Sequence, residues 1–393
     1  MAITDKKTGV WGLDQVYNKI NQGSIWDYSE VFELWSWGAG GQGDNGVNNR
    51  TDYSSPVQVP GNWVGLWSGK ASPRNNIFAA KNANELWTWG SNSYGTLAHG
   101  PGSPGHRRSS PVQVGSAEWT NVEAGFYGGL GVKTNGGLFT WGYDSDGQLG
   151  LGPGGGHKSS PTQVGSDLTW SGSAHHITQG GYAAGAIKTD GTLWMWGENQ
   201  SGELGQSNKT KESSPKQVPG TTWSSISVGG GNAEGHTLAT RTDGTAWAWG
   251  HNTNGTLGQG NTTQYSSPKQ IPGTDWARVK TSAGRYSWGV KTDGTLWMWG
   301  KNGTGCLGQN DTTTYSSPRQ IPGTTWDGEK VSAHGEAIAA VKTDGTLWVW
   351  GNAEEGWLGQ NNQTTQYSSP VQVPGNWADV FVRNKGMAAL RYI

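Results

Sequence analysis

Short runs in which hydrophobic and other residues alternate at every second position dominate this chain, and the sharpest of them end on glycine. The clearest is Leu193-Trp194-Met195-Trp196-Gly197. It recurs at 34–38, 86–90, 138–142 (with Phe139 in place of the first Trp), 246–250, 296–300 and 347–351. Alternation of this kind belongs to an extended strand whose successive side chains leave opposite faces. Both indoles therefore share one face, and the Leu and the middle residue share the other. The second Trp stands at 37, 89, 141, 196, 249, 299 and 350, a period of 50 to 55 residues. A unit of that length made of short strands cannot bury both faces of its own sheet, so the copies must pack on one another around an axis. Seven copies predict an all-β fold, a seven-bladed β-propeller with four strands to a blade.

The unit reads most plainly between residues 222 and 272. Residues 223–228 form a first strand, 229–235 a Gly-rich turn, 236–241 a second strand and 246–250 a third, with Thr242-Asp243-Gly244 a tight hairpin between the last two. A long loop over 252–265 carries Gly255, Leu257 and Gly258. Ser266-Ser267-Pro268 then leads into a short outer strand at 269–271, an edge position where proline is tolerated. The Ser-Ser-Pro prolines (56, 111, 161, 215, 268, 318, 370) and a Trp opening each first strand (63, 119, 170, 223, 276, 326, 377) give the same count of seven. The chain ends with a first strand (377–382) and a second (387–392). It begins with a third strand at 34–38 and an outer one at 57–59. One blade is thus expected to be a composite of both termini, which removes exposed sheet edges and makes the residues after Met387 hard to delete.

Residues 1–30 stand outside the repeat and are set apart from a propeller domain spanning 31–393. Trp11, Leu13, Val16, Tyr17 and Ile20 recur at helical intervals, with Gly23 as a stop and Trp26 beyond. So short a helix does not hold alone. It either straps a propeller face or docks on another protein.

Composition sharpens this picture. Hydrophobic residues are only 32%, yet there are 25 Trp, and the blade pattern accounts for 20 of them. Indoles therefore replace the missing aliphatic mass, each burying roughly 150–250 Å². A net charge of −1 argues against a nucleic-acid partner or an anionic membrane surface. The lone Cys306 excludes an intrachain disulfide. No run is apolar enough to insert in a membrane, and the start MAITDKKTG has no signal-peptide core, so synthesis in the cytoplasm is expected.

A search for chemistry finds little. No zinc spacing, Walker motif or Gly-x-Ser-x-Gly is present, so no catalytic residue, metal site or cofactor is assigned. His175 and His176 are adjacent but would face opposite sides of a strand. Each second strand ends in a cation (Lys81, Lys133, Lys188, Arg241, Lys291, Lys342, Arg391). A ring for an acidic partner is one reading. The reading preferred here is a stem lying over a blade Trp, its charge held by a hairpin Asp (190, 243, 293, 344). The turns after the first strands vary most between blades. Phe126, Tyr127, His175, Arg285, Tyr286 and Trp288 give them an aromatic and arginine content suited either to recognition or to filling the axial channel.

The combination of a Gly-rich turn, Thr-Asp-Gly, Leu-Trp-x-Trp-Gly, Asn-x-x-Gly-x-Leu-Gly and Ser-Pro resembles the regulator-of-chromosome-condensation repeat over about residues 31–393. That resemblance implies a seven-bladed propeller closed by shared termini. It leaves function open among exchange factors, a photoreceptor, an inhibitor and plain binding scaffolds. The Gly-Trp-Arg-His-Thr element of the photoreceptor is absent. Residues 8–28 resemble a leader of tailed-bacteriophage virion and tail-fibre proteins. The expectation is therefore a non-enzymatic virion component, docked on other virion proteins through its first 30 residues and showing a propeller face to a host-surface receptor. The alternative is a cellular interaction module of the repeat family.

Overall fold

The computed structural model describes residues 32–67, 76–82, 84–100, 106–116, 118–230, 234–282, 285–361, 365–383 and 386–391. Residues 1–31, with the docking candidates Trp11, Leu13, Val16, Tyr17, Ile20 and Trp26, lie outside the described residues. The strands assemble into seven four-stranded antiparallel sheets. Blade 5 is representative: Trp223–Gly229 innermost, then His236–Arg241, Ala246–Gly250 and Tyr265–Gln270. The outer strand takes in the Ser-Ser-Pro that was read as its lead-in. Pro268 is accommodated there because no further strand needs its missing N–H.

Blade 1 is the composite. Trp377–Arg383 and Gly386–Arg391 pair with Phe32–Gly38, which pairs with Tyr53–Trp63. The strand Gly386–Arg391 sits between the first strand and the third and carries both ladders. The outer strand runs well past the expected 57–59 at both ends.

Alternation sends the two sides of each blade into different cores. In blade 4, Trp194 and Trp196 flank Trp170 at 6.5 and 6.4 Å and face blade 3, while Leu193 and Met195 pack toward Trp223 and Trp249 of blade 5. Seven apolar clusters result among the described residues, each shared by two neighbouring blades. Each fully buried second Trp also donates its indole N–H to a loop carbonyl of the preceding blade. Examples are Trp249 to Glu203 at 2.8 Å and Trp350 to Cys306 at 2.9 Å. The same bond from Trp37 to Trp357, at 3.1 Å, joins blade 1 to blade 7 and closes the ring.

The loop that offers that carbonyl is organised by its leading Asn. Asn252 accepts from Leu257 N at 2.9 Å and donates to Thr263 O at 2.8 Å. Its glycines permit close approach. A Cβ on Gly255 (φ +72°) would fall 2.4 Å from Ser316 Cα of the next blade, and one on Gly205 (φ +70°) 2.8 Å from Trp249 Nε1.

The strand-ending cations serve the blade. Lys188 stands 5.0 Å from the Trp170 ring and 4.2 Å from the Trp194 ring, and Arg241 lies 4.4 and 4.5 Å from Trp223 and Trp247. The hairpin Asp faces that cation as expected, Asp243 with Arg241 and Asp190 with Lys188, and its hydrogen bonds give it a second job. Asp243 Oδ1 accepts from Thr245 N and Oγ1 at 3.0 and 2.6 Å, and Thr245 Oγ1 accepts from Trp247 Nε1 at 2.9 Å. The aspartate thus pins the hairpin and, through it, the indole. Lys188 also forms a direct ion pair with Asp167, at 2.5 Å.

Candidate interaction face and axial cluster

The turns after the first strands and the long loops after the third strands emerge on one face. Over blades 2 to 4 they carry a continuous aromatic arc. Tyr94 comes from the long loop of blade 2, Phe126, Tyr127, Tyr143 and His157 from blade 3, and Tyr182 from blade 4. Ring centroids lie 4.6 Å apart for Tyr94–Tyr143 and Tyr143–His157, 4.8 Å for Phe126–Tyr127, 5.2 Å for Tyr127–Tyr143 and 5.6 Å for Tyr127–Tyr182. Contacts of this kind are worth about 0.5–1.5 kcal/mol each, enough to hold the arc as one surface. Tyr94 is 44% exposed and is held at φ +61°, a conformation a bulky residue rarely adopts.

The electrostatics of the arc are negative at its edge. Burial pushes the Glu198 carboxyl above its ordinary range, Asp146 adds to the rise, and Lys211 opposes it. Asp146 pairs with Lys211 at 3.6 Å. The Tyr182 hydroxyl, 3.4 Å from that of Tyr127, is held un-ionised by that contact and by burial. Beyond the arc the same face carries ion pairs: Arg285 with Glu234 at 2.5 Å, and Lys301 with Glu336 at 3.3 Å.

Of the six loop residues singled out from sequence, the structure joins only Phe126 and Tyr127 in the arc. Arg285 is exposed on the same face and bound to Glu234. Tyr286 and Trp288 are corrected: both are buried, at 0% and 1% exposure. The second strand of blade 6 begins at Tyr286, which pairs with Gly300 as His236 pairs with Gly250. Alternation from that start sends Trp288 into the core.

His175 lies in the axial channel, the second of the two readings given for it, rather than on the loop face. In blades 1, 3, 5 and 6 the opening Trp precedes the next inward residue of the ladder by three positions. In blade 7 the gap is five, Trp326 to Val331, and in blade 4 it is seven, Trp170 to Ile177. The extra residues bulge into the axial channel and meet across it. Glu329 of blade 7 accepts from His175 Nε2 of blade 4 at 2.7 Å and from an Arg278 guanidinium N–H of blade 6. Arg278 also donates to Gly328 O at 2.7 Å. Burial works against ionisation of Glu329, but these two partners outweigh it and hold the carboxyl well below its usual range. His176, its chain neighbour, turns to Ser171 at 2.7 Å. Among the described residues no group of three His, Cys, Asp or Glu could hold a metal ion, and no helix is long and apolar enough to cross a membrane.

The sequence reading missed Tyr94, Tyr143, His157 and Tyr182 in the arc, and Arg278, Lys280 and Glu329 in the channel. The usable signal was departure from the repeat. Tyr94 occupies the slot of Asn254, and Tyr143 that of His251 and Lys301.

The sequence profile of the RCC1-like domain matches residues 33–388. The chain belongs to the RCC1-like domain family. Among RCC1-like relatives, it is 26% identical over 353 residues to the mitochondrial RCC1 domain-containing protein RUG3 of Arabidopsis thaliana, covering 87% of this chain and 66% of that one. It is 27% identical to the ultraviolet-B receptor UVR8 of the same plant, covering 61% of this chain and 53% of the receptor. The match therefore spans less than two thirds of either relative. Among solved structures, Prp20p of Saccharomyces cerevisiae superposes with a TM-score of 0.74 at 16% identity, over 93% of each chain. That likeness shows the shared RCC1-like fold. RUG3 and UVR8 are cellular proteins of a eukaryote, which overturns the expected virion location.

Proposed function

We propose that this RCC1-like propeller is a protein-interaction module that holds a basic segment of a protein partner against the loop face of blades 2 to 4. The observation that carries the reading is the arc from Tyr94 to Tyr182, an exposed aromatic surface that spans those blades and is not repeated among the described residues of the others. Aromatic faces attract Lys and Arg side chains, at about 0.5–2 kcal/mol each. The carboxylates of Asp144, Asp146 and Glu198 border the same surface. Arcs of rigid aromatic side chains on a fixed frame are what protein anchors fill. Support by analogy comes from Prp20p, whose structure was described together with its binding to Gsp1p and histones. The role is binding rather than catalysis, and the first 30 residues are assigned to a segment apart from the propeller.

A photoreactive phenylalanine analogue at Tyr94, exposed to extract of the source organism, tests this. Protein adducts are expected at position 94 and not at Lys269 on the outer strand of blade 5. They should vanish when Tyr127 and Tyr143 are both replaced by Ala. Adducts equal at the two positions, or unaffected by the double replacement, would contradict the proposal.

A further inference from the structure

The face opposite the arc holds the other end of the axial channel. Strands of a blade alternate in direction, so the turns from second to third strands gather on that face while the loops of the arc gather on the other. A cavity of about 400 Å³ sits at this end of the channel. Many of its lining residues follow directly on the Trp that opens a first strand: 64–67 after Trp63, 120–123 after Trp119, and Ala378 and Asp379 after Trp377.

Charge inside the cavity is balanced by the protein itself. Lys280 faces opposite charge from Glu123 and Glu329. Glu329 also accepts from His175 and Arg278, and Lys330 pairs with Asp327 at 3.2 Å. An occupant therefore needs no charge of its own. The wall contributed by blades 1 to 3 suits an apolar group, with Phe32, Val64, Leu66, Trp67 and Val122. The first four of these are only half-buried. Trp67 stands at the register position of Glu123 in blade 3 and Lys280 in blade 6, which brings its indole to the channel wall.

Two observations identify the occupant. Elsewhere a short turn joins the second strand to the third. In blade 1 those strands, Gly386–Arg391 and Phe32–Gly38, come from distant parts of the chain, and residues 1–31 lead into Phe32 at that point. Phe32 is thus both a wall of the cavity and the end of the preceding segment. The second observation concerns the five Trp outside the blade pattern. Trp288 and Trp357 are buried in cores between blades, at 1% and 9% exposure, and Trp67 is in the channel wall. Trp11 and Trp26 remain, both in the segment before Phe32. Trp26 is the nearer, and an extended chain from Phe32 carries it up to about 20 Å, enough to enter a cavity that Phe32 already borders.

We propose that the segment before Phe32 folds back over this face and seats the Trp26 indole in the axial cavity, against Leu66 and Trp67. The cavity is large enough for one indole. So short a tether gives an effective concentration of about millimolar, which favours the chain's own segment over a second copy or a separate peptide. The channel is then capped on one face, and the arc stays open on the other.

The test places a photoreactive phenylalanine analogue at position 26 of the full chain, irradiates it at low micromolar concentration and maps the adducts by mass spectrometry. Adducts within one chain, to residues 64–67 or 120–123, are expected. Adducts joining two chains would give the cavity to a second copy and overturn the proposal, as would intrachain adducts elsewhere or none at all. A second measurement leaves position 26 without a probe. Trp26→Ala should speed amide hydrogen exchange over residues 64–67 about tenfold and leave residues 93–97 unchanged. Equal exchange over 64–67 in the two proteins overturns the docking. Neither readout bears on the crosslinking at Tyr94, which lies on the opposite face.

Discussion

At the scale of single residues, the propeller is held by side chains with two jobs each. Trp249 fills the core between blades 4 and 5 and bonds the Glu203 carbonyl. Glu203 offers that carbonyl while its own carboxyl is buried at 1% exposure, accepting from Ser201 N at 2.8 Å. Burial pushes its pKa from an ordinary 4.5 to about 7. The folded state then holds this proton more tightly than the unfolded chain does. The penalty is absent below about pH 4.5, grows as pH rises, and is complete above about pH 7. A rise of that size corresponds to about 3 kcal/mol at most. Glu203→Gln should match wild type in urea unfolding near pH 4 and exceed it by up to about 3 kcal/mol at pH 8. Equal stability at pH 8 would refute the burial argument. His236 and His334, both lowered by burial to about 4, work in the opposite sense, losing stability as pH falls from 6.5 toward 4. They cancel when the two proteins are compared at one pH.

At the scale of elements, the long loop after each third strand is the joint between blades, and its glycines are steric requirements. Gly205→Ala would force a left-handed backbone and drive a Cβ into the Trp249 indole, costing about 2–4 kcal/mol in equilibrium unfolding. Gly154→Ala, at φ +79° with nothing within 4 Å, should cost only about 1–2 kcal/mol. Equal losses would mean that the inter-blade approach matters less than backbone strain. The same loops show how far the sequence could be read. Strands, hairpins and the blade joint were legible because the Trp, Asp-Gly and Asn-x-x-Gly spacings are local and repeat seven times. The arc was not, because its six rings come from three blades and touch only once the ring has formed. The channel cluster was hidden for a different reason. The extra residues before Ile177 and Val331 read as ordinary turn, and only strand register shows them bulging inward to bring His175 to Glu329. Trp288 was misplaced because the strand of blade 6 begins at Tyr286, inside what reads as turn, and alternation from that start puts Trp288 in the core.

At the scale of the whole molecule, no blade is a folding unit, since every core is shared by two neighbours. Closure depends on the strand Gly386–Arg391, which supplies the ladders on both sides of blade 1, and on the bond from Trp37 to the Trp357 carbonyl. The loop face exists as a surface only because that closure fixes blades 2 to 4 relative to one another. The most direct measurement is therefore urea unfolding, followed by near-ultraviolet circular dichroism, of the chain lacking residues 384–393. The account predicts that the Trp-dominated signal and the cooperative transition are lost, and that a synthetic peptide of residues 384–393 restores both. A truncated protein that unfolds cooperatively at the wild-type midpoint without the peptide would contradict closure by both termini.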